Sequence, residues 1–91
     1  MRIDISKFGT TLISRPAGRE AFLAARAYVI PKNSQETMEL DFSQVKVLTP
    51  SWAEEFVQGL EREFGASRVT VIEGNNLSVK TTFETLRASA K

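Results

Sequence analysis

Two hydroxyls, an indole and two carboxylates lie close together in the run Thr49-Pro50-Ser51-Trp52-Ala53-Glu54-Glu55. Proline suits the first helical position, where its missing N–H is harmless, so the run reads as a helix head with Thr49 as N-cap and Pro50 next. With Ser51 as cap, Glu54 closes a capping box instead. Either hydroxyl can therefore be absorbed by capping, worth about 1 kcal/mol. A helix N-terminus also favours an added phosphate, while Glu54 and Glu55 repel one. Trp52 is open to two readings: a side chain at the edge of the core, or a partly exposed anchor of the type enriched in binding hot spots. The chemistry on offer is docking of another macromolecule over Thr49, Pro50, Ser51, Trp52 and Glu55, with Ser51 as the phosphorylation candidate.

A second set is Arg15, Arg19 and Arg26, which share a helical stripe with Phe22 between them. Such a stripe can take phosphates or nucleic acid. It can equally be a solvated face, or pair with Glu54, Gln58 and Glu61 on the next helix. A net charge of only +1 favours that second reading, leaving a nucleic-acid accessory role as the alternative. Asp41 stands alone at a strand end, where a carboxylate usually bonds the following turn. Asn75-Asn76 reads as turn and cap. The chain contains no histidine and no cysteine, so the commonest general base, metal ligands and thiolate chemistry are missing together. With no metal-ligand cluster, Gly-rich phosphate loop or nucleophile–base pair, no enzyme, metal or cofactor is expected.

The elements that must hold these residues follow from periodicity. Arg2 to Ser6 alternates with Ile3 and Ile5 on one face, a half-buried strand. Lys7-Phe8-Gly9 turns the chain, and Thr10 to Ile13 reads as a second short strand. Ser14 can cap a helix over about Arg15 to Val29, with Pro16 in its first turn. Ala17, Ala21, Ala25 and Val29 line one stripe beside Phe22, small enough for close approach to a sheet. Pro31 stops the helix and Lys32 to Gln35 form a polar loop. Glu36 to Phe42 alternates with Met38, Leu40 and Phe42 on one side, and Val45 and Val47 continue the alternation.

A helix from about Pro50 to Phe64 carries the buried stripe Ala53, Phe56, Val57, Leu60 and Phe64, ending at Gly65. Arg68 to Ile72 is a strand with Val69 and Val71 inward. Gly74-Asn75-Asn76 turns into a last helix, Leu77 to Arg87, with Val79, Phe83 and Leu86 on one face. Strands alternating with helices predict an α/β fold with a mainly parallel, mixed sheet. Because the strands are amphipathic, the helices are expected mostly on one face.

At 91 residues, with 42% hydrophobic and 25% charged side chains, the chain reads as one domain over 1–91. It has no apolar run near the ~20 residues that cross a bilayer, and its start lacks an apolar signal region. A cytoplasmic protein off the membrane, monomeric or weakly dimeric, is expected.

The run Leu40-Asp41-Phe42-Ser43 followed by Val45 and Ser51-Trp52-Ala53-Glu54-Glu55 resembles the central segment of STAS domains, named for sulphate transporters and anti-sigma-factor antagonists. It is most similar to the STAS-like family of unknown function, and Phe8-Gly9 and Ser14-Arg15 look like that family too. The resemblance implies a bacterial regulatory and signalling role by partner switching. The partner implied is a protein, a histidine-kinase-like ATPase or anti-sigma-type regulator, released when the serine matching Ser51 is phosphorylated. Here Thr49-Pro50-Ser51-Trp52 replaces the usual Asp-Ser-Ser-Gly, so the acidic residue and the glycine are both missing. Binding through this surface is therefore expected ahead of phosphorylation.

Overall fold

The computed structural model describes residues 1–31 and 35–89; of the polar loop read at Lys32 to Gln35, all but Gln35 lies outside them. The first strand, β1, spans Arg2–Asp4. It is shorter than the alternation predicts because Asp4 turns the chain. One Asp4 carboxylate oxygen accepts the Ser6 N–H at 3.0 Å and the Ser6 hydroxyl at 2.7 Å. A 3-10 turn over Ile5–Phe8 follows and leads to β2, Thr11–Leu12.

Helix α1 is α-helical over Arg15–Ala24 and widens into a π-turn over Ala25–Val29. Ser14 caps it as predicted, its hydroxyl accepting the Ala17 N–H at 3.2 Å. Strand β3 is Met38–Asp41 and β4 is Val47–Leu48. The alternation expected through Val45 and Val47 breaks at the turn of Ser43 and Gln44. Val45 and Leu48 are buried, whereas Val47 is 40% exposed. Helix α2 runs through Pro50–Ala53, a π-turn over Glu54–Gln58, and Gly59–Phe64. Strand β5 is Val69–Ile72 and helix α3 is Leu77–Ser89.

The strands form a three-stranded sheet ordered β1-β3-β5 and a separate two-stranded sheet β2-β4. Every pair among the described residues is parallel. In the larger sheet Ile3, Leu40 and Val71 lie in register, with Met38 opposite Val69. Their side chains share one face, and Ile3, Met38 and Leu40 join the single buried cluster that contains the inward residues of the helices. Arg2, Glu39 and Thr70 line up on the opposite, solvent-facing side, where Arg2 and Glu39 stand 3.8 Å apart. The α/β fold with helices on the apolar face is thus as the patterning required.

The close approach read from the alanine stripe occurs between helices rather than against a sheet. A Cβ at Gly18 of α1 would stand 2.6 Å from the Trp52 carbonyl oxygen, and one at Gly59 of α2 would stand 2.9 Å from the Phe22 ring. Two glycines, one on each helix, let α1 lie directly on α2. Ala21 and Ala25 are buried at this contact, while Ala17 and Val29 remain exposed.

Candidate functional site

The head of α2 is built by backbone rather than by the predicted side-chain caps. Thr49 occupies the N-cap position with extended backbone, and its carbonyl accepts the Ala53 N–H at 3.1 Å. Its hydroxyl is turned away and donates to the Leu12 carbonyl at 3.4 Å, tying α2 to β2. No side-chain capping bond forms, so the Ser51–Glu54 capping box is absent. The Ser51 hydroxyl is half-exposed and makes no hydrogen bond among the described residues.

Trp52 corrects the docking reading. It is 1% exposed, its indole stacked on Phe56 with ring centroids 4.9 Å apart. Gly18 allows α1 to cross its backbone, and Phe8 also packs on Phe56, tilted, with centroids 5.4 Å apart. The indole is a core group that holds the helix head in place and cannot be a surface anchor. Of the predicted docking residues, Thr49, Pro50, Ser51 and Glu55 remain half-exposed.

Glu54 and Glu55 are joined to the arginine stripe instead of to the helix's own start. Arg15 reaches across from α1 and donates one guanidinium N–H to Glu55 at 2.8 Å and another to Glu54 at 3.0 Å. Hydrogen bonds to Glu55, then to Glu54, raise the Arg15 pKa above its ordinary value. Arg26 pairs with Glu63 at 3.3 Å and lies over the Phe22 ring. The stripe is therefore not a free basic surface. Arg15 and Arg26 are engaged by carboxylates, though by Glu54, Glu55 and Glu63 rather than by Gln58 and Glu61. Arg19 is exposed and has no ion pair among the described residues.

Asp41 behaves as its place at a strand end predicts. It accepts the Ser43 N–H at 2.9 Å. Hydrogen bonds from the Ser43 hydroxyl and then from its N–H hold the carboxyl below the usual aspartate range. Asp4 and Asp41 sit opposite each other in adjacent strands, each closing an Asp-x-Ser turn, so Ile3-Asp4-Ile5-Ser6 and Leu40-Asp41-Phe42-Ser43 are one local design used twice. Asn76 caps α3 by accepting the Val79 N–H at 3.1 Å.

One constellation escaped the sequence reading. The Ser78 hydroxyl accepts the Leu48 N–H at 3.1 Å and donates to the Leu48 carbonyl at 3.3 Å. The Thr82 hydroxyl, buried, donates to the same carbonyl. The available signal was Thr82 itself, a polar residue within the apolar spacing of Val79, Phe83 and Leu86. No group of three or more His, Cys, Asp or Glu among the described residues is arranged to hold a metal ion. None of the helices is long and apolar enough to cross a membrane, among the described residues.

The central strand, the helix head and the turn into α3 all fall inside residues 26–79, which match the family model described as STAS-like domain of unknown function (DUF4325). The chain belongs to that family. In this STAS-like domain the matched residues run from the end of α1 through β3, β4, α2 and β5 to the first turn of α3. Comparison with curated proteins and with solved structures gave no match.

Proposed function

We propose that this STAS-like domain is a non-catalytic regulatory module that docks a protein partner at the head of α2. The contact surface is formed by Thr49, Pro50 and Ser51 together with the Arg15 bridge to Glu54 and Glu55. The observation that carries the reading is the Ser51 hydroxyl. It stands half-exposed on the first turn, unused by the fold, while the Thr49 backbone does the capping. Trp52 supports the surface from beneath by fixing the helix head to the core. A pre-ordered surface lowers the entropy lost on binding.

By likeness to anti-sigma-factor antagonists, the partner is an ATPase or kinase-type regulator in bacterial cytoplasmic signalling. Phosphorylation of Ser51 is the switch. A phosphate there gains from the N-terminal N–H groups of α2 and is repelled by Glu54 and Glu55. It also competes with those carboxylates for Arg15, so the modification would rearrange the docking surface as well as add charge.

The test is a photo-crosslinking residue placed at position 51, and separately at position 70 on the polar sheet face, in the native host. The expected result is one discrete protein trapped from position 51 and none from position 70. The same product from both positions, or none from 51, removes the helix head as the interface. Intact-mass measurement of the chain from that host shows whether one phosphate is carried, and its loss in Ser51→Ala assigns the position.

A further inference from the structure

The small sheet leaves one backbone edge open. The carbonyls of Thr10 and Leu12 face β4 and accept the N–H groups of Lys46, Val47 and Thr49 at 2.8–3.0 Å. Backbone groups alternate along a strand, so the N–H and C=O of Thr11 and the N–H of Ile13 face the other way. Among the described residues none of these has a hydrogen-bond partner. Of the two outer strands of the larger sheet, β1 is guarded by Arg2 and Asp4, the usual protection of an exposed edge, whereas β5 carries no charge. Thr11, Leu12 and Ile13 offer no such charge, and Ile13 is 58% exposed.

Beside this edge runs a groove of about 360 Å³ between β2 and α1. Its walls include Phe8, Ile13, Ala17, Ala21 and Ala24, and it reaches down to Trp52. Its only charged lining residue among those described is Glu20, which is exposed and has no ion pair among the described residues. Free donors and an acceptor beside an apolar trough are the requirements for strand addition. Main-chain bonds supply affinity there, and alternate side chains fill the trough.

We propose that β2 accepts an extended peptide segment of a partner protein, whose small apolar side chains lie over Ala17, Ala21 and Ala24 and whose lysine or arginine meets Glu20. Charge selects this occupant over a second copy of the chain. A second copy would present Thr10 to Ile13, which carries no cation; its Arg15 is held by Glu54 and Glu55, and its Arg19 lies on α1 outside the lining of the groove. The inference uses different atoms from the Ser51 surface and stands without it.

The experiment titrates the isotope-labelled full chain with a capped peptide of alternating threonine and valine bearing one central lysine. The Thr11 and Ile13 amides should shift and exchange more slowly. A peptide with glutamate in place of lysine should bind about fivefold more weakly, the scale of an exposed ion pair. Glu20→Lys should reverse that preference. Thr11→Pro removes an N–H that β4 does not use, and Ala17→Phe fills the groove from an exposed position; each should abolish binding. Should Thr11→Pro unfold the chain, Ala17→Phe still decides. The proposal is overturned by silent Thr11 and Ile13 amides at millimolar peptide, or by binding that survives Ala17→Phe. Concentration-dependent protection of Thr11 without peptide also overturns it, by making a second copy the occupant.

Discussion

In the larger sheet β3 has a strand on each side, whereas in the small sheet β4 has β2 on one side and the side chains of α3 on the other. Leu40 lies in register with Ile3 and Val71, so backbone pairing and apolar contact reinforce each other. Leu48 gains its second set of partners from the hydroxyls of Ser78 and Thr82. Strands of two residues cannot bury enough side chain to hold themselves. The difference teaches that a helix can stand in for a missing strand, and that the substitute closes one edge while leaving the opposite one open.

The largest expected effect separates the centres of the two sheets. Leu40→Ala should cost about 2–5 kcal/mol, toward the upper end because neighbours on both sides hold the cavity open. Leu12→Ala removes the same atoms from a strand bordering an open groove, where collapse is easier, and should lie at the lower end of that range. Urea unfolding of both variants measures the gap. Equal losses would erase the distinction between a strand flanked on both sides and one at an open edge.

A smaller effect sharpens the role of α3. Thr82→Val keeps the shape but removes one donor to the Leu48 carbonyl, which retains Ser78. A loss of about 1 kcal/mol is expected. Amide exchange should quicken at Val47 and Thr49 more than in β3, since the bond lost belongs to the small sheet alone. Thr82→Ser should restore most of the protection. Uniform change across both sheets would mean that the hydroxyl acts on the whole core and does not serve as a substitute strand.

The contrast also explains what was legible in the sequence. Met38, Leu40 and Phe42 announced β3 because period-two alternation is a strong signal where one face is buried. Val79, Phe83 and Leu86 announced α3 in the same way. The small sheet was harder. Val47 follows the alternation of β3 yet points outward, because the turn at Ser43 and Gln44 resets the register. Trp52 was undecidable locally. Its burial depends on Gly18, far away in sequence, leaving room for α1 to cross, and no helical pattern encodes such a crossing. Arg15 was legible as a partner for the next helix, and Glu54 was among the carboxylates read for it; Glu55 was not, because the second carboxylate is set by the tertiary approach of α1 to α2. The open edge of β2 had no sequence signature beyond the lack of charge in Thr11-Leu12-Ile13.

The smallest effect concerns acid, and it should belong to the larger sheet, since β2 and β4 contain no carboxylate. Asp41 has a folded pKa below its ordinary value of 3.8, chiefly through the Ser43 hydroxyl and N–H. The folded state therefore favours the ionised form. Its contribution is fully present above the ordinary value and disappears as pH falls through the lower, folded one. In Asp41→Asn the amide oxygen can still accept from Ser43, so only the charge-dependent part is removed. The side chain is partly exposed, and solvent screening keeps that part below about 1 kcal/mol. The variant should be slightly less stable at neutral pH, with the two stability curves converging in strong acid. Thermal unfolding across that range decides it: curves that stay parallel would show that Ser43 stabilises the turn without regard to charge, and the acid sensitivity of the sheet would have to reside elsewhere.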